Sequence, residues 1–349
     1  MSPNRRCPTL EQLPPPPPNK TGWPWTEQSP QLPDTMLDGQ PWPRLSIVTP
    51  SYNQGQYIEE TIRSVLVQGY PRLEYIIIDG GSTDDSVDII RRYSPWLTHW
   101  VSEPDRGQAH AINKGFARST GDMLAWINSD DLYLPSAVRH VAEWHARDPG
   151  AILLGDVENF SDDEFRSYLI TQRNVTLGNL VEAWNGRSTW HQPGIFVPRS
   201  ASELAGPLDE GLRYAFDRDW LCRLTQHMGV SYLGVPIARF RLHAMQKTFA
   251  EVPEAMPEIL QVTQRYWQLV PGLDRRRVRA AHRLREAAFY LAHHPSSAAF
   301  WDRRAGMGRL AAACREDFRI ACTSEFLTLL RRALLPRRLL RSSPWRGAN

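Results

Sequence analysis

Leu45-Ser46-Ile47-Val48-Thr49, an amphipathic stretch over 57–68, and Leu73-Glu74-Tyr75-Ile76-Ile77-Ile78 follow one another in the chain. This order of strand, helix and strand decides the fold. Short, continuous apolar runs bounded by turn formers read as strands buried on both faces, and such strands belong to parallel sheets. The alternation continues with a helix over 86–93, a short strand Thr98-His99-Trp100-Val101-Ser102, a helix over 107–118, the strand Met123-Leu124-Ala125-Trp126-Ile127 and a helix over 136–147. That repetition predicts an α/β fold, a Rossmann-like mixed and mainly parallel sheet flanked by helices. Beyond residue 150 the pattern loosens. A strand at Ile152-Leu153-Leu154-Gly155-Asp156, a helix over 217–228 and a strand over 231–235 are expected there.

The chemistry is expected where strands end, because ligands of open α/β sheets gather at the carboxyl edge. Asn128-Ser129-Asp130-Asp131 closes the Met123 strand and puts two adjacent carboxylates at that edge. Two neighbouring carboxylates repel and lose solvation, a cost offset by a hard divalent cation. A loop whose aspartates only cap the next helix fits the same residues. Thr49-Pro50-Ser51-Tyr52-Asn53 turns after the first strand and presents an aromatic ring on which a planar base could stack. Asp79-Gly80-Gly81-Ser82-Thr83-Asp84 follows the second strand; its glycines allow close backbone approach, and Asp79 could accept from a uracil-like imide or a ribose hydroxyl. An ordinary tight turn fits too. Glu103-Pro104-Asp105-Arg106-Gly107 brings Arg106 near a third strand end, able to neutralise phosphate or hold Asp105. Neither the dinucleotide fingerprint nor the P-loop pattern is present, so phosphates held through a metal are expected rather than phosphates wrapped by glycines.

The 349 residues are 42% hydrophobic and 23% charged, with negative mean hydropathy, enough for a sizeable core in a soluble chain. No apolar run approaches a membrane span, and a proline tract stands where a signal peptide would need an apolar region. Cys7, Cys222, Cys314 and Cys322 show no paired spacing, which argues against a zinc site or disulfide framework and for a cytoplasmic location. Three regions are expected: a Pro/Trp-rich arm over 1–43, a domain over 44–250 divided at about residue 135 into nucleotide and acceptor halves, and a basic helical C-terminal appendage over 251–349. The net charge of +3 is unevenly spread. From Asp274 onward 17 arginines face 6 acids, an excess of 11, which leaves about −8 for the rest. Arg275, Arg276, Arg277, Arg279, Arg283 and Arg285, with Leu327, Leu329, Leu330, Leu334, Leu335, Leu339 and Leu340 further on, suit an anionic membrane surface at the inner face. A solvated helical appendage or an oligomer contact using arginine stems suits them equally. No nucleic-acid-binding module is recognisable.

Ile47-Val48-Thr49-Pro50-Ser51-Tyr52-Asn53, Ile78-Asp79-Gly80-Gly81-Ser82-Thr83-Asp84, Ala111-Ile112-Asn113-Lys114-Gly115 and Asn128-Ser129-Asp130-Asp131 occur in an order that resembles the family 2 glycosyltransferases, inverting enzymes of the GT-A fold. The resemblance covers about residues 44–248. It implies a nucleotide-sugar donor, a UDP-sugar first of all, with Thr49, Pro50, Tyr52 and Asp79 around the base, Arg106 near phosphate, Asp130 at the ribose and Asp131 on Mg²⁺ or Mn²⁺. Phe216-Asp217-Arg218-Asp219-Trp220 resembles the segment that carries the family's catalytic base, with Asp217 as the match. Phe216 stands where a glutamate is usual, and Asp219 is the reserve. Arg241-Leu242-His243, followed by Lys247-Thr248, resembles a late segment that supplies a histidine to the metal. Trp190-His191-Gln192 looks like the acceptor loop, where a ring could stack on a sugar and polar groups could bond its hydroxyls.

These residues imply metal-dependent inverting transfer of a sugar to an acceptor hydroxyl on a glycan or lipid-linked molecule, in polysaccharide, lipopolysaccharide or other glycoconjugate synthesis. Phe216 keeps alive a second expectation, a catalytically weak nucleotide-sugar-binding or scaffold protein docked on a membrane or partner. A sugar nucleotidyltransferase is disfavoured, because the loop after the first strand lacks the basic residue that a triphosphate loop needs.

Overall fold

The computed structural model describes residues 6–162, 167–182, 187–243, 252–291 and 302–334. Two compact units result, one of Met1–Arg173 with Trp190–His243, the other of Asn174–Thr189 with Ala244–Asn349. The boundaries differ from those expected: the described part of the arm belongs to the first unit, and residues 174–189 leave the acceptor half to join the C-terminal helices.

The first unit holds strands β1 (Leu45–Ser51), β2 (Leu73–Asp79), β3 (His99–Ser102), β4 (Met123–Trp126), β5 (Leu132–Tyr133), β6 (Ile152–Phe160), β7 (Tyr168–Ile170), β8 (Ile195–Pro198) and β9 (Val230–Arg241). Helices α1 (Ile58–Leu66), α2 (Ser86–Tyr93), α3 (Gln108–Phe116) and α4 (Ala137–Arg147) alternate with the early strands. After α5 (Leu177–Glu182), which lies in the second unit, come α6 (Arg199–Ala205) and α7 (Phe216–Leu224). The sheet order is β3-β2-β1-β4-β8-β6-β9-β5, with β7 paired to β6. Strands β1 to β4 run parallel, whereas β8 lies antiparallel to both β4 and β6. The sheet is therefore mixed: β1 to β4 form one parallel block, and beyond the antiparallel β8 the strands β6 and β9 pair parallel again.

The buried runs read from sequence explain the layering. Ile47, Tyr75, Ile77, Met123 and Ala125 share a core with Ile58 and Ile62 of α1, Ile90 of α2 and Val138 and Val141 of α4. On the other face Gly115 of α3 lies so close to Val48 that a Cβ there would stand 2.4 Å from its methyl carbon. A side chain at 115 would lift α3 off the sheet.

The arm is anchored by α1. Arg63 is 1% exposed, and its guanidinium donates to the carbonyls of Pro14 (2.9 Å), Pro24 (3.2 Å) and Trp25 (2.9 Å). A buried cation stays charged only with such partners, and here the extended, proline-rich backbone supplies carbonyls that no helix or sheet uses.

In the second unit, helices Val252–Arg265, Arg275–Leu291, Arg303–Glu316 and Ser324–Leu334 follow one another. Leu284, Leu291, Leu310, Ile320, Phe326 and Leu329 form part of its core. Several tail arginines have internal partners: Arg279 pairs with Glu316 at 2.7 Å, and Arg283 and Arg309 both reach Glu286 at 3.1 and 2.9 Å. Leu327 and Leu334 are exposed, while Leu335, Leu339 and Leu340 lie outside the described residues. No described helix is long and apolar enough to cross a membrane.

Candidate active site

β1 has β2, its successor in the chain, on one side and β4 on the other, an order that in open α/β sheets marks the edge where a ligand crevice forms beyond the carboxyl ends. Pro50 to Asn53 follow one strand end and Asn128 to Asp131 the other. Two loops are tied together at that edge. Asn53, with φ +52°, accepts the Thr83 N–H at 2.8 Å, while the Gly55 N–H donates to Asp84 at 2.8 Å.

The two adjacent aspartates differ sharply. Asp131 is fully buried; its Oδ1 accepts the Arg241 N–H at 3.0 Å and its Oδ2 the Asn128 side-chain amide at 3.2 Å. Burial, with Asp130 adding to it, pushes the Asp131 carboxyl well above the usual carboxylate range. Asp130 turns the other way. Its Oδ2 lies 2.9 Å from His243 Nε2, and both side chains remain partly exposed, at 14% and 12%. The His243 ring is stacked at a tilt on Tyr57, with centroids 4.9 Å apart. So the metal expectation placed on Asp131 differs from the geometry: an inward carboxylate closed by two donors has little left to offer a cation, and Asp130 is the one that meets His243.

Arg241 organises this arrangement and escaped the sequence reading. It is 2% exposed, its Nε donates to the Asp130 carbonyl at 2.9 Å, and its guanidinium pairs with Glu60 at 2.7 Å and with Asp162. Tyr57 and Phe160 flank it, their ring centroids 4.9 and 4.6 Å from its guanidinium carbon. In sequence it is one more arginine at a strand end. Lys247 and Thr248 lie outside the described residues.

The base-side residues are not all at the surface of the crevice. Thr49 is buried with its hydroxyl 3.0 Å from that of Tyr75, and Pro50 is buried in β1, which runs on to Ser51. Tyr52 is 60% exposed. Asp79 is fully buried, and its carboxylate accepts from the N–H groups of Gly81 (3.1 Å) and Ser82 (2.9 Å) and the hydroxyls of Ser82 (2.6 Å) and Ser102 (2.7 Å). Four internal donors occupy it, so this geometry differs from the expectation that it receives a base. Arg106 is exposed and paired with Glu210, which also accepts from Asn113 at 3.0 Å. A phosphate would have to draw Arg106 from that acid.

On the acceptor side, α7 is set against the end of β4. Phe216 and Trp220 pack on Trp126 with ring centroids 6.4 and 5.6 Å apart, which gives the departure at Phe216 a packing reason. Asp217, partly buried in the first turn of α7, accepts the N–H of Arg218 at 2.7 Å. Asp219 is 2% exposed and paired with Arg223 at 3.0 Å, and Arg223 also donates to the carbonyls of Gly206 (3.2 Å) and Pro207 (2.8 Å). The reserve candidate Asp219 thus has its carboxylate paired with Arg223 one turn on in the same helix. Gln192 donates to the Trp126 carbonyl at 2.8 Å, and the Arg218 guanidinium lies over the Trp190 ring at 5.3 Å. His191 stands edge-on to Phe240, and burial lowers its imidazole to about 4.

Among the described residues no three His, Cys, Asp or Glu side chains converge as a metal cluster. The Asp130–His243 pair nonetheless fits a divalent cation. Two ligand atoms at right angles on an ion with bonds of about 2.1 Å stand about 3 Å apart, and Mg²⁺-type sites commonly combine one or two protein ligands with substrate phosphate and water.

Residues 46–202 match the Glycosyl transferase family 2 model. An uncharacterized glycosyltransferase of Mycobacterium tuberculosis is 39% identical over 103 residues, which span 29% of this chain and 39% of that protein. TuaG of Bacillus subtilis, whose name places it among teichuronic acid biosynthesis glycosyltransferases, is 44% identical over 92 residues, 26% of this chain and 36% of its own. The chain thus spans well under two thirds of the length of these relatives. Among solved structures, Staphylococcus aureus TarS is similar in fold, with a TM-score of 0.54 at 17% identity over 83% of this chain and 88% of that one.

Proposed function

Since residues 46–202 match the Glycosyl transferase family 2 model, we propose that the protein transfers a sugar from a nucleoside-diphosphate donor to an acceptor hydroxyl, with inversion and with help from Mg²⁺ or Mn²⁺. The observation that carries this reading is the convergence of Asp130 and His243 at 2.9 Å beyond the end of β4. A UDP-sugar is the donor of choice, and the TarS structures in complex with UDP and with UDP-GlcNAc support it. Acceptors in the range of cell-surface polysaccharide or lipid-linked glycans agree with the name of the Bacillus relative.

Asp130 and His243 would hold the cation, while Asp131 keeps their loop in place from inside the sheet. When bound, the cation acts as a Lewis acid toward the departing diphosphate. The protein's own residues do the rest. Arg241 fixes the Asp130 carbonyl and, through its N–H, the Asp131 carboxylate, so the loop is preorganised before donor arrives. Tyr52 offers an exposed face to the base. Asp217, oriented by the Arg218 N–H, takes the proton from the acceptor hydroxyl as that oxygen attacks the anomeric carbon from the side opposite the diphosphate. Trp190 and Gln192 border the acceptor's path. The cytoplasmic placement, with the basic tail against the inner membrane face or in an oligomer, completes the proposal; the internal ion pairs of Arg279, Arg283 and Arg309 weigh toward a packing role for those three side chains.

The decisive experiment is a transfer assay with the full chain, Mn²⁺ and a panel of UDP-, GDP- and dTDP-sugars, read as release of the nucleoside diphosphate. Release from one donor class, abolished by chelator, is expected. Donor binding without release in any acceptor mixture would favour the weak-binding alternative instead.

A further inference from the structure

The fourfold bonding of Asp79 leaves a gap in the crevice: the acid expected to read the donor base is turned inward. Directly after it stands Gly80, which points no side chain anywhere. A Cβ built there would lie 2.7 Å from Asp105 Oδ2 and 3.4 Å from a ring carbon of Tyr52. The carboxylate from the loop between β3 and α3 therefore occupies the space that a side chain at position 80 would fill, next to the exposed tyrosine ring. Its other oxygen, Oδ1, accepts the Gly107 N–H at 2.8 Å, where Gly107 adopts φ +114°. That left-handed turn is open to glycine at little cost and lets the loop hand its N–H to Asp105.

On the reading that the protein binds a nucleoside-diphosphate donor, we propose that Asp105 is the residue that recognises the base, and that the base is a pyrimidine imide of the uracil type. One oxygen of Asp105 is tied to its own loop and holds the side chain in a fixed rotamer. The other, Oδ2, faces the place beside Tyr52. A base stacked on that ring presents its edge to this oxygen. Uracil offers one N–H between two carbonyls, and a carboxylate oxygen accepts it in a charge-assisted bond. Guanine would present two parallel donors and ask for both oxygens, one of which Gly107 already occupies. Cytosine presents an acceptor at the same ring position and would be repelled. Gly80 is part of the device, because any larger residue would displace the carboxylate.

Titration calorimetry of the full chain with UDP, CDP, GDP and inorganic pyrophosphate, each with Mn²⁺, tests this. Asp105→Asn keeps the volume and an acceptor for Gly107 while turning an amide N–H toward the base. It is expected to weaken UDP at least about tenfold, to narrow the preference of UDP over CDP and to leave pyrophosphate unchanged. Gly80→Ala leaves Asp105 in the sequence but pushes its carboxylate aside. A similar loss for UDP is expected there, with little further loss in the double variant. Unchanged UDP affinity in Asp105→Asn, a parallel loss of pyrophosphate, or tighter binding of GDP than UDP by the unaltered protein would each overturn the assignment while leaving the donor reading in place. If the unaltered protein binds neither pyrophosphate nor any of the nucleotides, the donor reading itself fails and this inference falls with it.

Discussion

The backbone N–H of Arg241 donates to Asp131 Oδ1 at 3.0 Å, joining the end of β9 to the loop after β4 across 110 residues of sequence. The bond takes Asp131 out of the crevice and leaves its neighbour Asp130 at the opening. Replacing Asp131 with alanine should therefore act first on stability. It strands the Arg241 N–H and the Asn128 amide inside the protein, a loss of about 1–3 kcal/mol, measurable by urea denaturation at neutral pH.

Asp130→Asn and His243→Gln should behave in the opposite manner. Both side chains are partly exposed and meet only at the opening, so melting temperatures should change little while the Mn²⁺-dependent gain in UDP affinity falls about tenfold or more for each. The double variant should lose little beyond either single one, because one ligand pair acts as a unit. Calorimetry with and without Mn²⁺ reads this directly, and an intact Mn²⁺ effect in both variants would remove the pair from consideration.

Much of this arrangement could be seen in the sequence, and the part that could not has a common cause. The strands β1 to β4 and helices α1 to α4 fall within a residue or two of where apolar runs and turn formers put them, because each is buried on contacts made by its own pattern. The order of Asp130 and Asp131 is different. Which of two adjacent carboxylates faces inward depends on an N–H that arrives from β9, and no local pattern announces it. The internal bonds of Asp79 and Asp219 were hidden for the same reason: a short polar run looks alike whether its acid meets a ligand or closes a loop. Nothing local marks Arg63 and Arg241 as buried either; remote backbone carbonyls surround the first, and a carbonyl and acids the second. Strands β5 and β7 have two and three residues, too short for period or composition to mark them.

Asp217→Asn should separate chemistry from binding. The amide still accepts the Arg218 N–H and keeps the start of α7 in place, but it cannot take a proton. Turnover should fall about 10²- to 10⁴-fold with UDP and Mn²⁺ binding retained. Steady-state kinetics beside calorimetry on one preparation checks both halves, and full turnover would move the base to another residue.

Asp219→Ala gives a control within the same helix. Asp219 pairs with Arg223 one turn on in α7, and Arg223 in turn holds the carbonyls of Gly206 and Pro207. Losing the acid should destabilise the fold by about 1–3 kcal/mol, moderated because Arg223 keeps its carbonyl partners. Activity at a temperature well below the melting point should survive. A loss of turnover as deep as that of Asp217→Asn in a folded sample would return Asp219 to the reaction.

His191 supplies the pH dependence. Burial against Phe240 lowers its imidazole from the ordinary 6.5 to about 4, so in the folded protein it stays neutral where the unfolded chain already takes up a proton. Its contribution to stability is therefore complete above pH 6.5 and declines as pH falls toward 4, by at most about 1.4 kcal/mol for each pH unit. Below 4 both states are protonated and the contribution levels off. Urea denaturation at pH 7.5, 6 and 5 should show this decline in the native protein, and His191→Gln, which has no proton to gain, should show a shallower one. Equal slopes in the two proteins would mean that the acid sensitivity of the fold arises elsewhere.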